Sequence, residues 1–289
     1  MFKIYDLNFR EIPLPKDNSG FGLKGLDLFI SSIGKKVTEE ELPGLPGTNR
    51  IHEVDGTRTA DIRALIVSSS THDYRLKRNR VYSFFRQLGR FYIAETYEPN
   101  KLLKVAVDES FIPERPQSLV IWGELDIPLS IVGKPYRISR YTSLELQNLK
   151  RDGKWSRGMH LTRKATDKQY VFTNQTDIEV YNPSDIDLYI KHHLDFKIKF
   201  ECLQSMSRIS LLDADSKEFV FTDALKAGDI VEIEGHRIKK NGQLAAAKFN
   251  DVYPILKSGY SEVYQLYSMN KIKVSPGLKV TFDFRAKYD

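Results

Sequence analysis

The segment DFKIKFEC, residues 195–202, indicates most directly which fold class the chain adopts. Its apolar side chains Phe196, Ile198 and Phe200 alternate with charged ones. Successive side chains of a β-strand point to opposite faces of the sheet. The period of two therefore predicts a strand with one face in a core and the other in water.

Similar short runs, bounded by turn residues, recur along the chain and predict a mainly β protein. In the first half the predicted strands are 25–33, 61–67, 90–97, 102–107 and 118–132. In the second half they are 171–181, 195–202, 207–212, 218–221, 229–238, 246–250 and 279–288. Hairpin turns are predicted at 213–217 and at the Asn-Gly pair 241–242, because these residue types favour tight turns.

One segment has helical periodicity instead. It begins at Asp73, a suitable N-cap, and ends before Gly89, a suitable C-terminal cap. The apolar residues Tyr74, Val81 and Phe85 recur within it at helical offsets. Its basic residues scatter around the polar arc instead of forming one stripe. These patterns favour a helix that packs its aromatic face on a sheet over a DNA recognition helix.

The composition of the chain excludes several classes of protein. The 289 residues are 41% hydrophobic and 28% charged, and Cys202 is the only cysteine. A single thiol cannot close an intrachain disulfide or supply a cysteine-based zinc cage. The first residues carry charges, and no run approaches the roughly 18 apolar residues that a membrane span needs. We therefore expect a soluble chain that is made in a cytoplasm.

The net charge of +6 is spread evenly along the chain. Residues 1–140 contain 21 basic and 18 acidic side chains, and residues 141–289 contain 23 and 20, which leaves +3 in each half. The one local excess is 150–168, with seven basic and two acidic residues and with Trp155 and His160 interleaved. A solvated linker is the favoured interpretation, and contact with nucleic acid is the alternative.

These observations predict two globular blocks joined by a linker. The boundary follows Lys134-Pro135-Tyr136, where a β-rich block ends and a polar, basic stretch begins. The predicted domains are 1–140, a basic linker or arm at 141–170, and a β-rich block at 171–289. The Pro/Gly-rich segment 42–47 is predicted to be a loop.

No motif in the chain predicts catalysis. Residues 20–25 match G-x-G-x-x-G, but 26–30 have the pattern of a strand, whereas a dinucleotide site needs a helix there. Asp213 and Asp215 begin like a calcium loop, yet Lys217 occupies the third ligand position. We therefore expect no catalytic residues, no cofactor and no metal site, and no enzymatic activity.

The order of the features resembles the distal tail protein (Dit) family of long-tailed, non-contractile bacteriophages. The β-rich first block contains the turn Val54-Asp55-Gly56-Thr57-Arg58-Thr59, comparable to a V-x-G-R-x-G turn of the family with the arginine displaced. The single helix follows, and the block ends with an apolar strand and the Pro135-Tyr136 pair.

The second half resembles the galectin-like or carbohydrate-module-like β-sandwich of the same family. The matching segments are Tyr181-Asn182-Pro183-Ser184-Asp185, Leu225-Lys226-Ala227-Gly228-Asp229, Asn241-Gly242 and 254–259. The resemblance thus implies a split-barrel-like N-terminal domain with one helix, followed by a sandwich.

The resemblance also implies a structural role in the virion tail. Family members form a hexameric ring through the N-terminal domain and join the tail tube protein to the tail-tip or fibre hub protein of the baseplate during host attachment. A protein of this kind is made in the cytoplasm of the host bacterium. The candidate ring or tube contacts are Tyr74, Arg78, Val81 and Phe85 on the helix and Leu45 and Pro46 in the loop.

Two alternative functions remain open. The first is recognition of host glycans by the C-terminal block, on a platform formed by Tyr260, Tyr264, Tyr267 and His236, although aromatic side chains more often serve as packing. The second is nucleic-acid binding by the basic stretch 150–168. The partners expected from the main interpretation are further copies of the chain and tail proteins, with a receptor-binding protein or glycans as additional candidates, and neither a membrane nor a specific nucleic acid.

Overall fold

A computed structural model describes residues 1–15, 22–41, 47–117, 119–147, 153–156, 158–160, 169–245, 248–261 and 266–289. The chain divides into an N-terminal unit, Met1–Arg137 together with Asp289, and a C-terminal unit, Ile138–Tyr288. Both are built from antiparallel strands, and one main helix lies in the N-terminal unit, which confirms the predicted fold class. Within the described ranges, no helix is long and apolar enough to cross a membrane.

The described residues of the N-terminal unit form nine complete strands and the main helix. The strands are β1 Phe2–Tyr5, β2 Glu11–Ile12, β3 Leu23–Ile30, β4 Lys35–Glu41, β5 Thr48–Asp55, β6 Ala60–Val67, β7 Arg90–Glu95, β8 Lys101–Ala106 and β9 Trp122–Ile131, and the helix is α1 Thr71–Leu88. A tenth strand, β10 Arg137–Ser139, begins at the end of the unit.

The main sheet of this unit has the order β2-β1-β7-β8-β9-β6-β3. Strand β6 is paired along its whole length with β9, from Ala60 opposite Leu129 to Val67 opposite Trp122. Alternate side chains of β6, such as Ile62, are fully buried in the core. Strands β4 and β5 form a separate two-stranded sheet, which we call the ribbon.

Helix α1 begins two residues earlier than predicted, and the predicted N-cap is wrong. Ser70 is the N-cap, because its hydroxyl accepts a hydrogen bond from the backbone N–H of Asp73. The carboxylate of Asp73 instead accepts bonds from the backbone N–H and the hydroxyl of Ser69. Gly89 follows the helix with a φ of 57°, as its predicted role as the C-terminal cap requires.

The C-terminal unit contains the remaining strands and a short helix. The strands are β11 Val171–Thr173, β12 Asp177–Val180, β13 Leu188–Tyr189, β14 Lys197–Cys202, β15 Met206–Leu212, β16 Glu218–Leu225, β17 Ile230–Glu234, β18 Arg237–Lys240, β19 Gln243–Leu244, β20 Ile255–Leu256, β21 Tyr260–Ser261, β22 Leu266–Tyr267, β23 Asn270–Val274, β24 Leu278–Asp283 and β25 Lys287–Tyr288, and the helix is α2 Ser143–Leu146.

Two sheets, β11-β24-β14-β17-β18-β19 and β12-β23-β15-β16, share one hydrophobic core. The segment DFKIKFEC supplies β14, and Phe196, Ile198 and Phe200 are all buried as the alternation predicted. The ring of Phe200 stacks on Phe219 of the other sheet with their centroids 5.9 Å apart. The unit is therefore a β-sandwich with aromatic contacts between its sheets.

Four predicted strands of this unit differ in the structure. The stretch 229–238 forms two strands, β17 and β18, joined by a turn at Gly235 and His236, and the stretch 279–288 forms β24 and β25. The stretch 171–181 forms two strands, β11 and β12, which belong to different sheets. The chain turns between them at Asn174, whose φ is 52°. In the segment 246–250, two residues lie outside the described ranges, and Phe249 makes only an isolated bridge to Phe221. The Asn-Gly turn is confirmed, since Asn241 and Gly242 both have positive φ between β18 and β19.

Part of the segment assigned to a linker packs within the C-terminal unit. Ser143 and Leu146 of α2 are buried, and the Ser143 hydroxyl donates a hydrogen bond to the carbonyl of Phe282 over 2.9 Å. Most of 148–168 lies outside the described residues. The nucleic-acid hypothesis for that stretch therefore stays a prediction.

Candidate assembly surfaces

Helix α1 has a buried face and an exposed face. Tyr74, Val81 and Phe85 are at most 2% exposed and pack in the core of the N-terminal unit. Burying a side chain of this kind contributes roughly 1.5–3 kcal/mol to folding. These three candidate contact residues therefore hold the helix on its own unit, and Arg78, the fourth, is partly exposed and donates hydrogen bonds to the side chain of Asn79.

The exposed face of α1 is basic. The helix carries five basic side chains and one acidic one, Asp73, which pairs with Lys77 at 3.2 Å. Arg75 and Arg86 are exposed and lie three turns apart on the same face. Neither forms an ion pair with the residues that the structure describes. Leu76, 60% exposed, lies beside them and adds an apolar contact area.

The ribbon is the other exposed feature of this unit. Its two strands pair from Lys35 opposite Asp55 to Glu41 opposite Thr48, and every residue of both strands except Val37 is exposed. Several side chains pair across it, including Arg50 with Glu39 at 3.4 Å. The ribbon thus has no core of its own and offers both faces to contact.

Acidic side chains are concentrated toward the far end of β4. Glu39, Glu40 and Glu41 are consecutive and exposed, and Glu39 pairs with Arg50. Within the described part of the chain, Glu40 and Glu41 have no cationic partner. The candidate contact residues Leu45 and Pro46 follow this strand and lie outside the described residues.

The base of the ribbon is firmly attached. Tyr136 donates a hydrogen bond to the carboxylate of Asp55. Burial, followed by this hydrogen bond, raises the pKa of Tyr136 well above its usual range. The N–H of Gly56 donates to the carbonyl of Gly34 over 2.6 Å, and a Cβ on Gly56 would lie only 2.9 Å from that oxygen. These contacts attach the base of the ribbon to the N-terminal unit.

Arg58 strengthens the same attachment. Its side chain is 4% exposed, and the guanidinium donates to the carbonyls of Ser31 and Pro135 and pairs with Asp289 at 3.3 Å. Burial lowers the pKa of this guanidinium. From the sequence, Arg58 is recognisable only as a displaced motif arginine, because the groups that it binds are distant in the sequence.

The candidate glycan platform is partly assembled. The rings of Tyr260 and His160 stack with their centroids 3.8 Å apart. The ring of Tyr267 contacts that of Tyr260 in a tilted arrangement, with centroids 5.1 Å apart. His160 Nε2 also lies 2.5 Å from a carboxylate oxygen of Asp185. Tyr260 and His160 are thus occupied with internal packing, whereas Tyr267 remains 52% exposed.

Of the other two residues of the platform, the structure describes only His236. Tyr264 is outside the described residues. His236 is exposed in the turn between β17 and β18, where its backbone carbonyl accepts a hydrogen bond from Tyr253. Of the three platform residues that the structure describes, it therefore brings together Tyr260 and Tyr267.

A groove of about 880 Å³ opens near the C-terminal end of α1. It is lined by the aromatic rings of Tyr82 and Phe111 and by charged side chains of both signs, Arg86, Arg90, Asp108 and Glu109. Such a lining can accept an apolar side chain next to a polar group.

The segments considered for chemistry have structural roles. Gly22 has a φ of 56°, and its carbonyl accepts a hydrogen bond from Val67 just before β3, so no helix follows the glycine-rich motif. The buried carboxylate of Asp213 accepts backbone N–H bonds within its own turn. Burial raises the pKa of the Cys202 thiol. Among the residues described, no group of three His, Cys, Asp or Glu is placed to hold a metal ion.

Comparison with known proteins agrees with this architecture. Residues 16–130 match the family of the phage tail protein RIFT-related domain. No curated protein sequence matches the chain. Two structures of the phage p2 baseplate in its activated conformation, with Sr and with Ca, align at 9% identity and a TM-score of 0.40, over 99% of this chain and 97% of theirs.

A stronger match covers both units. The crystal structure of the Dit protein (gp 19.1) of phage SPP1, described as a paradigm of the hub adsorption apparatus in phages that infect Gram-positive bacteria, covers 99% of each chain. The identity is 11% and the TM-score is 0.65. Residues 16–130 thus match the family of the phage tail protein RIFT-related domain, and the whole chain has the fold of a Dit protein, which confirms the resemblance seen in its turn motifs.

Proposed function

We propose that the chain is the distal tail protein of a long-tailed phage and that its N-terminal unit forms a hexameric ring. The observation that carries this proposal is the match of residues 16–130 to the family of the phage tail protein RIFT-related domain. The exposed ribbon and the exposed face of α1 belong to the same unit and supply surfaces for contacts between subunits.

In this proposal the ring joins the tail tube protein to the tail-tip or fibre hub protein during adsorption to the host. The protein is then a structural component of the virion, made in the cytoplasm of the host and incorporated into the tail. In this role it acts by binding other tail proteins, and a closed ring with repeated interfaces is well suited to this.

Electron microscopy of the purified chain tests the ring directly. We expect six-fold rings in negative-stain images and a mass of about six chains of 33.4 kDa by light scattering. A chain that remains monomeric over a wide range of concentration and salt would contradict the proposal.

We also propose a second function, carbohydrate binding by the C-terminal unit, on the strength of the exposed ring of Tyr267. Sugars stack on aromatic faces that are open to solvent, and the neighbouring Tyr260 holds this ring in place. On a glycan array, Tyr267→Ala should abolish binding, whereas the control Tyr97→Ala, at an 86% exposed site of the N-terminal unit, should leave it unchanged. Equal binding by both variants would refute the assignment.

A further inference from the structure

A small pocket of the N-terminal unit lies where the loop that precedes β9 meets the start of that strand. It has a volume of about 330 Å³ and is lined by Glu114, Arg115, Pro116, Trp122 and Glu124. Sites for small molecules have roughly 300–1,000 Å³, so this pocket is large enough for one side chain of a partner and small for a cofactor.

Two carboxylates lie side by side at this pocket. Glu114 and Glu124 form an antiparallel bridge, in which the N–H of Glu114 donates to the carbonyl of Glu124 over 2.8 Å and the N–H of Glu124 donates back over 3.1 Å. Side chains of residues paired in this way point to the same face, with their Cβ atoms about 5 Å apart. Both residues are exposed, and within the described residues neither forms an ion pair. Since like charges directly opposite each other destabilise a sheet, a cation between them would stabilise this bridge.

Arg115, the cation among the lining residues, is engaged elsewhere. Its guanidinium carbon lies 4.2 Å from the ring centroid of Tyr74, and a terminal nitrogen donates a hydrogen bond to the carbonyl of Val120. Tyr74 is buried in the core of the unit. Because Arg115 follows Glu114 directly in an extended segment, its side chain points to the opposite face. The two carboxylates are therefore left to a cation from outside the chain.

An aromatic ring lies on the same face as the carboxylates. Trp122 stands two residues before Glu124 on β9, so both side chains leave the strand on one side. Trp122 is 39% exposed, and Val67, which pairs with it on β6, is also exposed, as are Leu119 and Ile121. A tryptophan ring beside carboxylates suits a guanidinium, which stacks on the ring and donates paired hydrogen bonds to carboxylate oxygens.

We propose that this pocket binds an arginine side chain of a partner protein, with Glu114 and Glu124 neutralising the guanidinium and Trp122 stacking on it. Charge complementarity selects this occupant, and the rest of the partner would cover the exposed apolar side chains around the pocket. A guanidinium fits better than an ammonium, because its planar group can use the ring and the carboxylates together. The contact goes beyond the proposed ring and does not depend on it.

A guanidinium peptide tests the pocket on the full chain. The probe is an acetylated and amidated peptide of alternating glycine and arginine. The matched peptides carry citrulline, which is the neutral isostere of arginine, or lysine. In isothermal titration calorimetry at low salt, we expect the arginine peptide to bind about tenfold more tightly than the citrulline peptide, and several-fold more tightly than the lysine peptide.

Variants then assign the binding to these residues. Glu114→Gln with Glu124→Gln should weaken binding of the arginine peptide on the order of tenfold. Trp122→Leu, which keeps an apolar side chain, should weaken it about threefold through the loss of stacking. The control Glu40→Gln with Glu41→Gln makes the same change in net charge at exposed positions of the ribbon and should bind like the wild type.

A stability measurement separates a binding role from a structural one. Removing one of two like charges that face each other relieves their repulsion. We therefore expect Glu124→Gln to unfold at the same urea concentration as the wild type or at a higher one. A clear loss of stability would mean that this carboxylate supports the fold, and would count against the proposal.

The outcomes distinguish this pocket from the proposed ring. Equal affinity of the wild type for the arginine and citrulline peptides overturns the pocket without any variant and leaves the ring proposal as it is. An equal loss of binding in the ribbon control would show attraction by net charge alone and also overturn the pocket. If the wild type does not bind the peptide but the double glutamine variant at the pocket associates more weakly with itself, the site belongs to a second copy of the chain instead. A monomeric wild type that binds the arginine peptide contradicts only the ring.

Discussion

The ribbon and the β6–β9 pair are both long antiparallel pairs of the N-terminal unit, but their surroundings are opposite. In β6, alternate residues such as Ile62 and Ile66 are fully buried, and the strand has neighbours on both sides. In the ribbon, Val37 is the one residue that is not exposed, and neither β4 nor β5 joins the main sheet. Antiparallel pairing of the same kind thus forms part of the folding core in β6 and β9, whereas in the ribbon it leaves both strands available for association.

The sequence of each pair explains the difference. Eight of the fifteen ribbon residues are charged, compared with two of the eight residues in β6. Charges at successive positions leave neither face of the ribbon apolar, so it cannot be covered by a core. Its attachment depends instead on polar contacts at the base, made by Tyr136 and Arg58.

The largest expected effect contrasts the two pairs directly. Ile62→Ala removes a fully buried side chain between β3 and β9 and should lower the free energy of unfolding by about 2–5 kcal/mol. Ile51→Ala in the ribbon should change it by less than about 0.5 kcal/mol, since this side chain is largely in water. Urea denaturation of the full chain measures both, and similar losses would show that the ribbon is part of the folding core.

A smaller effect is expected at the base of the ribbon. Arg58→Ala leaves the carbonyls of Ser31 and Pro135 without their donor and should cost about 1–3 kcal/mol. Arg58→Lys should restore only part of this, because an ammonium cannot reproduce the geometry of a guanidinium. Thermal unfolding of the wild type and the two variants gives the order of their stabilities. If Arg58→Lys is as stable as the wild type, the positive charge alone accounts for the contribution of Arg58.

The strands that face a core could be predicted from the sequence, whereas the ribbon could not. Strand β14 alternates so regularly that its buried face was identified residue by residue. The ribbon lacks alternation because it lacks a core. The division of 171–181 between two sheets was also missed, since local alternation does not specify which sheet a strand joins and a single left-handed residue, Asn174, makes the change.

The candidate contacts show a similar limit. The helical spacing of Tyr74, Val81 and Phe85 identifies an apolar face, but a face that packs in its own unit and a face that packs on another subunit have the same pattern. The structure places all three in the core. The exposed Arg75 and Arg86 lie about 100° around the helix from this buried face, among charges that the sequence shows only as scattered.

The smallest expected effect concerns two carboxylates that pair with lysines. One lies in β17, which has neighbouring strands on both sides in the sandwich, and the other lies in the ribbon. Glu234 of β17 accepts hydrogen bonds from Lys197 at 2.8 Å and Lys239 at 2.7 Å, which lower its pKa to about 2. In the ribbon, a hydrogen bond from Lys35 also lowers the pKa of Glu53.

A carboxyl group whose pKa falls on folding stabilises the protein above its unfolded pKa of about 4.3. For Glu234 this contribution, below about 1 kcal/mol, is lost as the pH falls from about 4.3 to about 2. Glu234→Gln should therefore lower stability at pH 7 and differ little from the wild type at pH 2 in urea titrations. Glu53→Gln should have a weaker effect at every pH because water screens an exposed pair, and a larger effect would mean that the ribbon is held by its charges more tightly than the sandwich is.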